Sequence, residues 1–81
     1  MGKVNRKNWK SWRDIKEWAE AEGYKHLAAR MQLNNDNWQS SGEFGRSQVA
    51  ICDMLRLCEE KDIKDIAEQM DAEFSENYGL Y

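Results

Sequence analysis

Few side chains in this 81-residue sequence are of types that perform covalent or acid–base chemistry. The single histidine, His26, follows Lys25 in a segment predicted to be helical, and we expect it at the surface. A thiol nucleophile would need that imidazole as its base, and nothing in the local sequence brings His26 next to Cys52 or Cys58. We therefore expect no catalytic residues and predict that the protein is not an enzyme.

The two cysteines are predicted to be small, reduced core residues. Six positions apart on one helix, they would point about 240° apart, with Cα atoms roughly 9 Å apart along the axis. That separation exceeds the reach of a disulfide. One histidine and two cysteines on opposed helix faces do not complete a tetrahedral zinc site. We expect no metal, no cofactor and no small-molecule substrate, and reduced cysteines indicate the cytoplasm.

Carboxylates are frequent towards the end of the chain, but their spacing is not that of a tuned acid or of a metal site. Carboxylates on an exposed helix face lack the burial or close pairing of catalytic acids, and no glycine stands where a calcium-binding loop requires one. The segment of residues 42–45 lacks the Lys-Ser/Thr that completes a phosphate-binding loop. The carboxylates predicted to lie mostly on the exposed side of the last helix are Asp62, Asp65, Glu68, Asp71, Glu73 and Glu76.

Charge is distributed unevenly along the chain, which carries −3 overall. Residues 1–40 hold eight Lys and Arg against five Asp and Glu, whereas residues 41–81 hold four against ten. A basic beginning of this kind suits contact with phosphates, and Lys7, Lys10 and Arg13 are the candidates for that contact. The alternative is an ordinary solvated surface, on which exposed charges contribute little.

The pattern LAxxMxLNxxxW over residues 27–38 resembles a helix-turn-helix core. The resemblance implies that Asn34 caps a second helix, whose amide side chains would read adenine edges in the major groove. The sequence departs from the pattern in two places, because Gln32 stands where the turn usually has glycine and Gly42 interrupts the second helix. The residues expected to face DNA are Asn35, Asn37, Gln39 and Ser40.

A protein partner is the leading expectation. Trp38 lies in the polar segment of residues 34–42 and is the tryptophan most expected to be exposed, and exposed tryptophans are frequent binding anchors. Val49, Cys52 and Leu57 would form an open stripe on a helix too apolar for its neighbours to cover, where a second copy would dock.

We therefore predict a small interaction protein that binds, and regulates or inhibits, another protein, in the manner of a phage-type regulator. Homodimerisation is one form that this binding would take. The alternative is a small helix-turn-helix DNA-binding regulator that uses the basic N-terminus and residues 27–40.

Four helices must position these residues. Ser11, with Asp14 three residues later, is a capping pattern, and a further pattern of this kind begins at Ser40. Gly23 suits the left-handed position that ends a helix. The predicted helices cover about residues 11–22, 24–33, 43–60 and 62–78, and residues 1–8 are expected to be a flexible basic lead-in.

The run from Val49 to Cys58 is the most apolar of the chain, and only Asp53 and Arg56 interrupt it. A helix that is apolar around most of its circumference is normally buried on more than one side. We expect residues 1–81 to form a single domain, an all-α bundle of four helices around a buried central third helix. A membrane-spanning helix needs about 18 apolar residues in a row. No apolar run in this sequence approaches that length, so we expect no membrane partner.

Overall fold

The computed structural model describes residues 6–78, which form four α-helices and contain no strand. The helices are α1 (Trp12–Ala21), α2 (Lys25–Asn37), α3 (Gly42–Leu57) and α4 (Ile63–Tyr78), with 3₁₀ turns at Arg6–Asn8 and Glu60–Asp62. This confirms the predicted all-α bundle. Within residues 6–78, no helix combines the length and the apolar character that a bilayer crossing requires.

Local signals in the sequence set both ends of α1. Asp14 Oδ2 accepts a hydrogen bond from the backbone amide of Ser11 (3.2 Å), as predicted, and so satisfies a donor that the first turn leaves free. At the other end Gly23 has a φ of 93°. The amide of Tyr24 donates to the carbonyl of Ala19 (2.8 Å), which closes the helix around that left-handed residue. The chain therefore reverses within a short turn, and α2 packs back against α1.

Three aromatic rings close the end of the bundle where α1 meets α2. The ring centroids of Trp9 and Trp18 are 5.5 Å apart, and those of Trp18 and Tyr24 are 5.9 Å apart. Tilted pairs at these distances contribute more than their buried area alone. Trp9 and Trp12 are partly buried and pack against the core.

The centre of the bundle is α2, not α3 as predicted. Both α2 and α3 contact each of the other three helices, but the contacts of α2 with α1 and α4 are more extensive than those of α3. α2 also buries five of its residues, whereas α3 buries three. The prediction was wrong because apolar content alone does not locate the centre, and α2 also buries the polar residues Arg30 and Asn34. The buried apolar core consists of Ile15, Ala19, Leu27, Ala28, Met31, Ile51, Cys52, Leu55, Ile63, Ala67 and Phe74.

α2 continues to Asn37, four residues beyond its predicted end at residue 33. Asparagine favours turns, but Asn34 is fully buried, and its Nδ2 donates to Ser47 Oγ (3.2 Å) and Gln48 Oε1 (3.3 Å) of α3. These tertiary contacts override the local preference, as they often do for weak propensities. The turn expected from the helix-turn-helix resemblance is therefore absent from residues 27–37, and that prediction was wrong.

A carboxylate of α4 caps the N-terminus of α2. Asp71 Oδ1 accepts hydrogen bonds from the backbone amides of His26 (2.8 Å) and Leu27 (2.9 Å). The residue at the N-cap position, Tyr24, provides no capping side chain. The prediction that Asp71 lies among the exposed carboxylates was wrong, because its partner His26 is 45 residues away in sequence and local spacing does not reveal it.

The beginning of the chain is anchored from residue 6 onwards. The Arg6 guanidinium donates to the carbonyl oxygens of Leu55 (3.0 Å), Arg56 (3.1 Å) and Cys58. A helix leaves the carbonyls of its last turn without internal partners, so Arg6 stabilises the end of α3 three residues before the predicted end at about residue 60. The flexibility predicted for the lead-in of residues 1–8 stays a prediction. Its first five residues, with the basic Lys3, lie outside the described residues.

α3 begins one residue earlier than predicted, and Ser41 rather than Ser40 is its cap. Ser41 Oγ accepts a hydrogen bond from the backbone amide of Glu43 (3.2 Å). Ser40 Oγ instead donates to the carbonyl of Asn37 (2.7 Å). The two serines thus end one helix and start the next.

Two glycine substitutions are expected to change stability in opposite directions. Gly23→Ala would lower the free energy of unfolding by about 1–2 kcal/mol, because alanine is strained at a φ of 93°. Gly45→Ala would raise it by about 1 kcal/mol, because the added Cβ meets nothing within 4 Å and alanine favours the helix. Urea denaturation at low protein concentration measures both. A stabilising Gly23→Ala would contradict the left-handed turn between α1 and α2.

Candidate functional site

The large apolar side chains that remain exposed within residues 6–76 lie on α3 or in the turn that joins α2 to α3. They are Trp38 (54% exposed), Val49 (59%), Met54 (52%) and Leu57 (82%). Single exposed apolar residues are ordinary on protein surfaces, but these four belong to one stretch of about twenty residues. We call these four residues the apolar face.

Surface depressions join the apolar face into one strip. A groove of about 220 Å³ lies between Trp12, Trp38 and Val49. A shallow depression continues from Val49 over Ala50, and another runs from Ala50 to Leu57. Because neighbouring depressions share Val49 and Ala50, the strip extends along the outer side of α3.

The groove beside Trp38 has the size and lining to accept one side chain. Two indole rings border it, together with the amide-bearing residues Asn34, Asn35 and Gln48. Its volume of about 220 Å³ is below the roughly 300–1,000 Å³ of clefts that hold small molecules. An apolar side chain of a partner protein would suit it, because tryptophans near the centre of an interface often carry much of the binding energy.

Cys52 faces the core instead of the open stripe predicted for it with Val49 and Leu57. Three positions along a helix turn the side chain by about 300°, so Cys52 lies about 60° from Val49 and meets the interior. Burial raises the pKa of the Cys52 thiol, and the neighbouring Arg56 lowers it to a smaller extent. Cys52 is therefore a packing residue, and Met54 takes its place in the exposed strip.

The predicted basic residues are at the surface. Lys7, Lys10 and Arg13 are all exposed. The Arg13 guanidinium carbon lies 5.5 Å from the centroid of the Trp12 ring, which borders the groove beside Trp38. Arg13 therefore places a positive charge close to one end of the apolar face.

The amide residues expected to face DNA do not share a helix of their own. Asn35 and Asn37 belong to the last turns of α2, whereas Gln39 and Ser40 lie in the turn before α3. The Asn37 Nδ2 donates to the carbonyl of Leu33 (2.9 Å), one turn earlier on the same helix. Of these residues, Asn35 borders the groove beside Trp38.

The residues with reactive side chains occupy structural positions. Among the described residues, no three His, Cys, Asp or Glu side chains converge as a metal ion would require. His26 is half-buried, and its backbone amide is bound by Asp71. Both cysteines are unpaired, and the Cys58 Sγ donates to the carbonyl of Leu55 (3.6 Å).

No protein-family model matches this sequence, and comparisons with curated proteins and with solved structures found no match. The fold class therefore rests on the four helices described above. The function has to be inferred from the surface that these helices present.

Two residues of this surface were not among the predicted binding residues. Met54 precedes Leu57 by three positions on α3, so the two side chains point about 60° apart, on the same side of the helix. Trp12 packs partly against the core and also borders the groove. No local signal separates a half-buried tryptophan from a fully buried one.

Proposed function

We propose that the protein is a non-enzymatic interaction protein that binds another protein molecule through the apolar face. The observation that carries the proposal is that, within residues 6–76, every large apolar side chain left exposed lies on α3 or in the turn that joins α2 to α3. Removing apolar surface from water is favourable by about 25 cal/mol per Å². Contiguous apolar patches on soluble proteins commonly mark the sites where a partner provides that burial.

The charges around the apolar face favour a protein over a nucleic acid. α3 carries two acidic and two basic residues, all exposed, whereas a nucleic-acid surface concentrates basic residues along one face or helix. DNA binding is therefore not proposed. The expected DNA-facing geometry depended on the turn of the helix-turn-helix resemblance, and α2 continues as a helix through that turn.

A regulatory or inhibitory role is part of the proposal. A small chain that binds without catalysing a reaction acts by occupying a surface of its partner, as a phage-type inhibitor does. The unpaired Cys52 and Cys58 fit a reducing compartment, and the proposal places the protein in the cytoplasm.

A matched pair of lysine substitutions tests the proposed binding. Leu57→Lys puts a charge into the apolar face, and Ala72→Lys puts the same charge on an exposed position of α4. The tagged full chain and each of its variants are used to recover bound proteins from the protein's own cells. The recovered proteins are quantified by mass spectrometry. We expect recovery of at least one protein, an untagged copy of this chain included, to fall about tenfold or more with Leu57→Lys alone.

Circular dichroism of both variants shows whether each remains helical, so that unfolding is not mistaken for lost binding. If two folded variants recover the same proteins in the same amounts as the unsubstituted chain, binding through the apolar face is contradicted.

A further inference from the structure

All four charged residues of α3 are exposed, and their signs alternate along the helix. They are, in order, Glu43, Arg46, Asp53 and Arg56. Within residues 6–78 the ion pairs that form involve other residues, and none of these four takes part in one. Charges next to an exposed apolar strip select the partner and its orientation more than they add affinity.

The four charges are placed symmetrically about the middle of α3. Arg46 and Asp53 lie about 5 Å on either side of the point between Val49 and Ala50, at 1.5 Å per residue. Glu43 and Arg56 lie about 10 Å on either side of that same point. In each pair, the two residues at equal distance from the midpoint carry opposite charges.

This symmetry makes α3 complementary to an antiparallel copy of itself. When a second α3 runs in the opposite direction about a two-fold axis at the midpoint, Arg46 becomes level with Asp53 of the second copy, and the axis repeats that pairing. Arg46 and Asp53 are seven positions apart and therefore point in nearly the same direction. A parallel copy in register would instead place like charges opposite each other.

The apolar residues follow the same symmetry. Val49 lies next to the midpoint and would meet Val49 of the second copy. Leu57, with 82% of its surface exposed, becomes level with Gly42 of the second copy, about 11 Å from the axis. Gly42 is exposed and has no side chain, so a large residue is placed beside a small one at both ends of the contact.

We infer that the occupant of the α3 part of the apolar face is a second copy of this chain, bound with its α3 antiparallel. This inference rests on the proposed function, because it names the protein molecule that the face binds. The central contacts are Val49 against Val49 and two Arg46–Asp53 ion pairs between the copies. The groove beside Trp38 lies to one side of this contact, near its Gly45 edge.

Sedimentation of charge-reversal variants tests the antiparallel arrangement. The unsubstituted chain is expected to dimerise below about 100 μM, and Arg46→Asp or Asp53→Arg alone to raise the dimer dissociation constant about tenfold or more. Each single variant places two pairs of like charges across the axis. The double variant Arg46→Asp/Asp53→Arg restores opposite charges at both positions, so its dissociation constant is expected to return towards that of the unsubstituted chain.

Two results would overturn the inference. One is an unsubstituted chain that remains monomeric at about 100 μM. The other is a double variant that dimerises no better than either single variant, with all variants shown to be folded by circular dichroism. If the chain is monomeric but Leu57→Lys still abolishes recovery of cellular proteins, the second copy is ruled out and the proposed function stands. If the chain is monomeric and Leu57→Lys changes no recovery, both the second copy and the proposed function are ruled out.

Discussion

Leu55→Ala is expected to lower the free energy of unfolding by about 2–5 kcal/mol. Leu55 is fully buried in the cluster that joins α3 to the rest of the bundle. Its removal would leave a cavity, because interiors packed to crystal-like density relax only in part. A chain of this length has a total stability of roughly 4–12 kcal/mol, so the loss is a large fraction of it. Urea denaturation followed by far-ultraviolet circular dichroism measures the change.

Leu57→Ala is the matched control for this substitution. It removes the same side chain two positions later on the same helix, where 82% of its surface is exposed. The expected change is within about 0.5 kcal/mol at a protein concentration low enough to keep the chain monomeric. Comparable losses at the two positions would show that α3 presents a different face to the core, and the apolar face would then be misplaced.

Asp71→Ala is expected to cost about 2 kcal/mol of stability, a large effect for one side chain on the half-buried side of a helix. The Asp71 carboxylate accepts from two backbone amides at the start of α2, those of His26 and Leu27. Alanine would leave both donors without that acceptor and would remove a negative charge from the positive end of the α2 dipole. Thermal and urea unfolding both report the change.

Two further variants separate capping from a general loss of charge. Asp71→Asn keeps an oxygen that accepts from both amides, so it is expected to cost less than Asp71→Ala. Glu68→Ala removes an exposed carboxylate three positions earlier on α4 and is expected to change stability by no more than about 0.5 kcal/mol. A Glu68→Ala variant as unstable as Asp71→Ala would mean that the overall charge of α4, and not the cap, stabilises α2.

The helix ends that the sequence predicts correctly are those set by neighbours in the chain. Asp14 binds the amide of Ser11 three residues before it, and Gly23 closes α1 through its own backbone conformation. Both signals lie within one turn of the helix end that they determine, so their spacing is visible in the sequence.

The helix ends that the sequence does not predict are set by residues far along the chain. Asn34 extends α2 because it binds Ser47 and Gln48. Arg6 caps the end of α3 from about fifty residues away. These partners become neighbours only when the helices pack, so local spacing in the sequence does not reveal them.

The apolar face is predictable in part. The surplus of apolar residues on α3 indicates the exposure of Val49 and Leu57, and the polar surroundings of Trp38 indicate its exposure. Cys52 was placed on the wrong side because a rotation of about 60° decides between surface and core, and only the position of α2 fixes that rotation. The self-complementary charges of α3 become meaningful only once its outer side is known.

The most direct measurement of protein binding through the apolar face is photo-crosslinking from within it. A photoreactive phenylalanine analogue replaces Leu57 in one sample and Ala72, exposed on α4, in a matched sample, and both are irradiated in the protein's own cells. We expect a discrete crosslinked product from position 57 that is absent from position 72, with a mass that identifies a second copy or another protein. No product from position 57 above the position 72 background would contradict protein binding at this surface.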